Sequence, residues 1–230
     1  MMSTVLERKI CLYMDLGLKR YREVELLQEE IVEKVMEGIL PEHIIFAEHP
    51  SVITLGKSTR EERVFIEDPE KIKERGIEIY RIKRGGSATL HEPGQLVVYP
   101  ILRLEDRDVH RYVRNLEETV IKVLETYNIK GIRRLKYTGV WLDERRKICS
   151  IGVAVKKWVT YHGLALNVNN KLEDFNLFYP CGLEGVEMVS MEKVLGTRVD
   201  MDELKRRFIS IFSVVFERSL TDRDGKTCLA

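Results

Sequence analysis

Between Ile77 and Leu102, and again from Val140 to Val168, strand-like segments follow one another with no helical segment between them. A chain patterned in this way does not wind as alternating strand–helix–strand units. Its sheet must be built largely from antiparallel neighbours. Residues 77–82 alternate, residues 96–102 form an apolar run, and Ile151, Val153 and Val155 are in phase. Residues 9–15 alternate as a further strand. The apolar stretch 44–56 divides into two strand pieces at Pro50, which has no amide to give a ladder.

Helical periodicity is confined to a few segments. Residues 19–37 place Tyr21, Val24, Leu27, Ile31 and Val35 on one face and stop at Gly38 and Pro41. A short helix after Asp68 and Pro69 ends near Gly76. Residues 108–127 open at Asp108 and bury Val109, Tyr112, Leu116, Val120 and Val123. The closing helix has an Asp200…Glu203 capping-box pattern and a stripe of Leu204, Phe208, Phe212 and Val215. The class is therefore α+β: a mixed, antiparallel-rich sheet covered by helices. The expected organisation is one domain over residues 1–230, with residues 221–230 frayed. A chain of 230 residues buries roughly 70% of the surface its unfolded form exposes, so no staples are needed.

A net charge of +1 argues against nucleic acid as a partner. The distribution is less even: residues 130–157 hold nine Lys or Arg against two acids. Such a run is commonly a set of solvated strand edges, and it also fits a docking face for an acidic protein. Cys11, Cys149, Cys181 and Cys228 form no C-x-x-C pair, and the amino terminus resembles no targeting segment. Both point to reduced thiols in the cytoplasm. No apolar run approaches the length needed to cross a bilayer. His43, His49, His91, His110 and His162 are scattered without metal-ligand spacing, so no metal is expected.

Two glycine-bracketed segments carry the candidate chemistry. One runs Arg84-Gly85-Gly86-Ser87-Ala88-Thr89-Leu90-His91-Glu92-Pro93-Gly94-Gln95; the other is Tyr179-Pro180-Cys181-Gly182. The first serves equally well as a plain loop between strands, and it matches no phosphate-loop pattern. Buried cysteines are mostly inert packing residues, but a rigid Pro-Cys-Gly turn holds a side chain away from regular core packing. A free thiol is mostly protonated at neutral pH, so a nucleophilic one needs a base or cation beside it. Lys147, at the edge of a strand-like run, is the candidate amine, although a basic cluster at a turn is ordinarily solvated.

Several motifs in register resemble the octanoyl-[acyl carrier protein]:protein N-octanoyltransferase family, also called lipoate–protein ligase B. They are Glu48-His49-Pro50 with Thr54-Leu55-Gly56; Arg84-Gly85-Gly86; His91 with Pro93-Gly94-Gln95; residues 147–152; residues 160–168; and Pro180-Cys181-Gly182. The resemblance covers about residues 10–217. It implies the fold of the lipoate and biotin protein ligases, with Cys181 as the acyl acceptor and Lys147 as its partner. It also implies an acyl-binding tunnel lined by Arg84, Gly85, Gly86, Ser87, Ala88, Thr89, Leu90 and His91, by Ser150, Ile151 and Gly152, and by His162, Gly163, Leu164 and Ala165. The implied donor is octanoyl-acyl carrier protein. The implied acceptors are lipoyl domains of 2-oxoacid dehydrogenases and the glycine cleavage H protein. No cofactor and no ATP are implied, and loops near Gly85–Gly86 or Gly163 are expected to hold the oxyanion.

Two positions depart from the family pattern. Leu90 stands where the family usually has tyrosine, and is expected to make a tunnel wall more apolar. Glu92 stands where it usually has glycine; before a proline it is expected to be extended and to point to solvent or a basic neighbour. The alternatives are an ATP-dependent lipoate ligase, an amidotransferase between lipoyl proteins, or a binding module without turnover.

Overall fold

The computed structural model describes residues 8–183 and 185–222. The strands are β1 (Lys9–Leu18), β2 (Glu42–Glu48), β3 (Val52–Leu55), β4 (Glu78–Arg81), β5 (Ala88–His91), β6 (Gln95–Ile101), β7 (Ile132–Arg134), β8 (Tyr137–Trp141), β9 (Arg146–Lys156), β10 (Val159–Asn167), β11 (Glu187–Met188) and β12 (Arg218–Asp222). The helices are α1 (Tyr21–Met36), α2 (Glu61–Val64), α3 (Pro69–Glu74), α4 (Val109–Glu125), α5 (Met191–Leu195) and α6 (Met201–Val215).

The strands form two sheets. The larger runs β12-β1-β2-β6-β10-β9-β8-β7, with β11 beside the start of β9. Its pairs from β2 through β7 are antiparallel, while β12, β1 and β11 join in parallel. The smaller has the order β4-β3-β5. Pro50 thus does more than interrupt a strand: β2 stays in the large sheet and β3 crosses to the small one. Ala88–His91, expected only as part of a glycine loop, is the small sheet's other edge, paired in register with β3.

Strand alternation sorts the apolar side chains onto two faces. Ile44, Phe46, Leu96, Val98, Leu164 and Leu166 pack with Leu116 and Val120 of α4 and Leu204 and Phe208 of α6. Ile45, Ala47, Val97, Tyr99 and Ala165 face the opposite way, against Val24, Ile31 and Val35 of α1. The central strands are apolar on both faces because both are covered. The helices begin where their caps predict. Asp108 accepts from the Arg111 amide, and Asp200 from the amides of Asp202 and Glu203. The reciprocal arm of the box is diverted, since the Glu203 side chain pairs with Arg207.

The chain end differs from expectation. Thr221 and Asp222 are not frayed but paired with Leu12 and Tyr13, because β12 adds an outer parallel strand to β1. The rest of the stretch expected to fray, with Cys228, lies outside the described residues. Among the described residues, no helix is long and apolar enough to cross a membrane.

Candidate active site

Lys147 enters from β9 at a bulge. Val140 of β8 pairs with Cys149, but Trp141 pairs with Lys147, so two steps on β9 answer one on β8. Cys149 goes into the apolar core and Lys147 toward a cavity. Lys147 is 2% exposed. Its Nζ donates to the Thr138 carbonyl at 3.0 Å and to Cys181 Sγ at 3.0 Å, and lies 5.0 Å from the centre of the Trp141 ring. A buried amine is tolerable only with such partners. Gly139, at φ +123°, leaves the space: a Cβ there would stand 2.7 Å from Lys147 Cε and 2.4 Å from the Cys149 carbonyl oxygen.

Cys181 sits at φ 60° and ψ 12°, in a tight turn closed by the Gly182 amide donating to the Tyr179 carbonyl at 2.9 Å. The left-handed conformation costs a non-glycine residue about 1–2 kcal/mol, and here it aims the thiol at Lys147. Cys181 is half-buried, whereas Cys11 and Cys149 are sealed in the core. Burial pushes the Cys149 thiol up to about 12 and the Cys11 thiol well above its ordinary value, which makes both inert.

The cavity beside the pair has a volume of about 230 Å³. Residues 86–89, 150–152 and 162–165 line it together with Arg84 and His91. Two expected members are placed elsewhere. Gly85 is not a lining residue; its amide donates to the Val153 carbonyl at 2.9 Å, fastening the glycine loop to β9. Leu90 is a correction. It is fully buried in the core of the small sheet with Ile53, Leu55 and Phe178, because β5 alternates and turns it away from the cavity. Gly163 is likewise no loop but lies within β10, paired with Gly152.

Arg84 is 7% exposed and holds the loop from within. Its guanidinium donates to the carbonyls of Gly85, Ser87 and Thr54 and to the Thr54 hydroxyl, at 2.7 to 3.0 Å. Burial lowers its pKa from the ordinary arginine value.

Glu92 also departs from expectation. It is 5% exposed and accepts from Asn170 Nδ2 at 2.9 Å and from the Leu172 amide at 3.0 Å. It therefore faces neither solvent nor a base nor the cavity, but ties its loop to the turn after β10. Burial raises its pKa. Its φ is not positive.

Away from the thiol, the cavity ends in a cluster not foreseen from the sequence. From Lys147 to Val153, which pairs with His162, β9 advances on the order of 20 Å at the usual strand rise. Tyr21 stacks on His91 with ring centroids 5.7 Å apart and approaches His162 Nδ1 at 3.5 Å. His49 hydrogen-bonds the Tyr99 hydroxyl at 2.7 Å and the Lys19 carbonyl at 2.7 Å, and His91 bonds the Gln95 side chain at 2.8 Å. Burial pushes His49 down to about 4, His162 down to about 3, and His91 well below its ordinary value. All three imidazoles are neutral at pH 7.

Tyr21, Val97 and Tyr99 line this end, and Lys136, Tyr137, Thr138 and Leu183 line the thiol end. Val97 and Tyr99 lie in the continuous apolar run of β6, which gives no sign of the face they take. Tyr21 was read only as a helix-face residue. Ser150, a lining residue, has its Oγ buried without a hydrogen-bond partner.

Two sheets enclosing one cavity are an architecture shared with a class of proteins, the catalytic domains of lipoate and biotin protein ligases. The fold is similar to lipoate-protein ligase A bound with ATP, at TM-score 0.77 and 19% identity over 94% of this chain and 88% of that one. It is also similar to the biotin protein ligase of Aquifex aeolicus, at TM-score 0.56 and 14% identity over 91% and 71%. Within that class the chain belongs to the family described as the lipoyl protein ligase A/B catalytic domain, which matches residues 20–213. It is 42% identical to the octanoyltransferase of Rubrobacter xylanophilus over 86% of this chain and 90% of that one. To the octanoyltransferase of Caldanaerobacter subterraneus it is 41% identical over 91% of each. The chain is an acyltransferase of the octanoyltransferase branch.

Proposed function

We propose that this protein, acting as one catalytic domain in the cytoplasm, takes an octanoyl group from octanoyl-acyl carrier protein and transfers it through a thioester on Cys181. The acceptors are lysines of lipoyl domains, those of 2-oxoacid dehydrogenases and the glycine cleavage H protein. The observation that carries this reading is the 3.0 Å contact between Cys181 Sγ and Lys147 Nζ at the mouth of the cavity. A thiol and an amine in direct contact can exchange a proton, which both halves of an acyl transfer require.

In the first half, Cys181 sulfur attacks the thioester carbonyl. Its bond to the acyl carbon forms as the carrier's carbon–sulfur bond breaks, and Lys147 passes the thiol proton to the leaving sulfur. In the second half, the acceptor amine attacks acyl-Cys181. The carbon–nitrogen bond forms as the carbon–sulfur bond to Cys181 breaks, and Lys147 takes the proton the attacking amine loses and passes it to the Cys181 sulfur. A thioester is exchanged for an amide, which is downhill, so no nucleotide is consumed. The acyl chain lies along the wall made by residues 150–152 and 162–165.

The test is the intact mass after incubation with octanoyl-acyl carrier protein and no nucleotide, beside Cys181→Ala. One octanoyl adduct is expected, absent from the variant and discharged by added lipoyl domain. An adduct indifferent to Cys181, or transfer that requires ATP, would refute the thioester route.

A further inference from the structure

The hairpin of β7 and β8 stands at the thiol end of the cavity. Lys136, Tyr137 and Thr138 line the mouth, and Leu135 at the turn is 96% exposed. A single exposed apolar residue is ordinary on a protein surface. Three features set this one apart.

The first is its mount. The Arg134 guanidinium lies 4.7 Å from the centres of both the Tyr137 and Trp141 rings and pairs with Glu144 at 3.0 Å. Arg133 pairs with Glu117 and Glu118 of α4. Trp141 is fully buried and in turn faces Lys147. Leu135 is thus held outward on a hairpin braced against the reacting lysine, and a braced contact loses little entropy on binding.

The second feature is charge. Exposed Lys136 follows Leu135 at the tip, and exposed Lys130 stands at the base of the hairpin, before β7; among the described residues neither has an acidic partner. They therefore favour an acidic protein surface.

The third is reach. A carrier-bound thioester travels on a long flexible arm, so the carrier body can stand away from the rim. An acceptor lysine has only a four-carbon stem, so its domain must touch the rim, where the hairpin tip is the projecting surface.

We propose that the β7–β8 hairpin is the docking element for the acceptor, an acidic lipoyl domain. Leu135 packs beside the acceptor lysine, Lys136 next to it faces a carboxylate, and Lys130 adds positive charge at the hairpin base. The identity of the acceptor rests on the function proposed above, whereas the docking itself is tested without turnover.

Unacylated lipoyl domain is titrated into the whole protein and into Leu135→Glu, a change that removes no packed contact. At low salt the variant is expected to bind at least tenfold more weakly, and the affinity of the unsubstituted protein falls as salt is raised. In a second assay Cys181 is loaded from octanoyl-pantetheine and discharged to the domain. The ratio of discharge rate to loading rate is expected to fall at least tenfold in the variant. Binding within twofold of the unsubstituted protein overturns the proposal. So does a variant that loses octanoyl-acyl carrier protein but keeps the lipoyl domain. If the unsubstituted protein acquires no Cys181 adduct, the transferase reading fails separately and the titration still decides the docking.

Discussion

The two ends of the cavity differ in the chemistry they offer. At the thiol end, Cys181 and Lys147 come from elements that share no helix or strand, and local backbone departures bring them together: a bulge in β9, φ +123° at Gly139 and φ 60° at Cys181. At the other end, Tyr21 of α1, His91 of β5, Tyr99 of β6, His162 of β10, itself at φ 55°, and His49 just after β2 are held by stacking and hydrogen bonds. Burial keeps the imidazoles uncharged. Arg84 lies along the same wall with its guanidinium committed to protein oxygens. One end keeps a titratable pair in reach of the mouth, while the other offers polar atoms without charge. A mostly apolar chain can enter between them because, among the described residues, no unpaired charge lies along the inner wall.

The sharpest way to break this contrast is at the amine. Lys147→Ala is expected to slow octanoyl transfer by roughly 10²–10⁴, the usual worth of a positioned proton-transfer group. Lys147→Met, which keeps most of the volume, is expected to be equally slow while folding normally by circular dichroism. A steady-state rate near that of the unsubstituted protein for either variant would remove Lys147 from the chemistry.

A smaller effect is expected from the backbone that makes room for it. Gly139→Ala places a Cβ against Lys147 Cε at a φ that side chains rarely adopt. Transfer is expected to fall by about tenfold or more, with a Tm lowered by several degrees, because a strained position costs about 1–3 kcal/mol. If rate and Tm are both unchanged, the close approach does not constrain the site.

The smallest effect on transfer belongs to the neutral end, which is read as stability instead. His49 and His162 have folded pKa values of about 4 and about 3, below the ordinary 6.5. Between those limits the unfolded chain binds protons that the folded chain does not. Stability is therefore full above pH ~6.5 and is lost as pH falls toward 4 and then 3. Denaturant unfolding from pH 7 to pH 4 is expected to show this loss, with a shallower slope in His49→Gln. An unchanged slope in that variant would mean that His49 is not held neutral by the fold.

Local information sufficed for much of this molecule. The apolar runs of β2 and β6, the in-phase Ile151, Val153 and Val155 of β9, the stripe of α6 and the caps at Asp108 and Asp200 each depend on residues a few positions apart. The chemistry of Cys181 and Lys147 was readable as residue types in particular turns. Their 3.0 Å contact was not, because it depends on a one-residue bulge and a positive φ that the surrounding packing enforces. The same reason explains Leu90 and Glu92. Adjacent strand residues face opposite ways, so whether position 90 reaches the cavity is decided by pairing with β3, and position 92 by Asn170, 78 residues away. Residue identity and short-range pattern are written in the chain. Which side chains meet is set by strand register and by loops closed over long separations, and those are settled only when the sheets assemble.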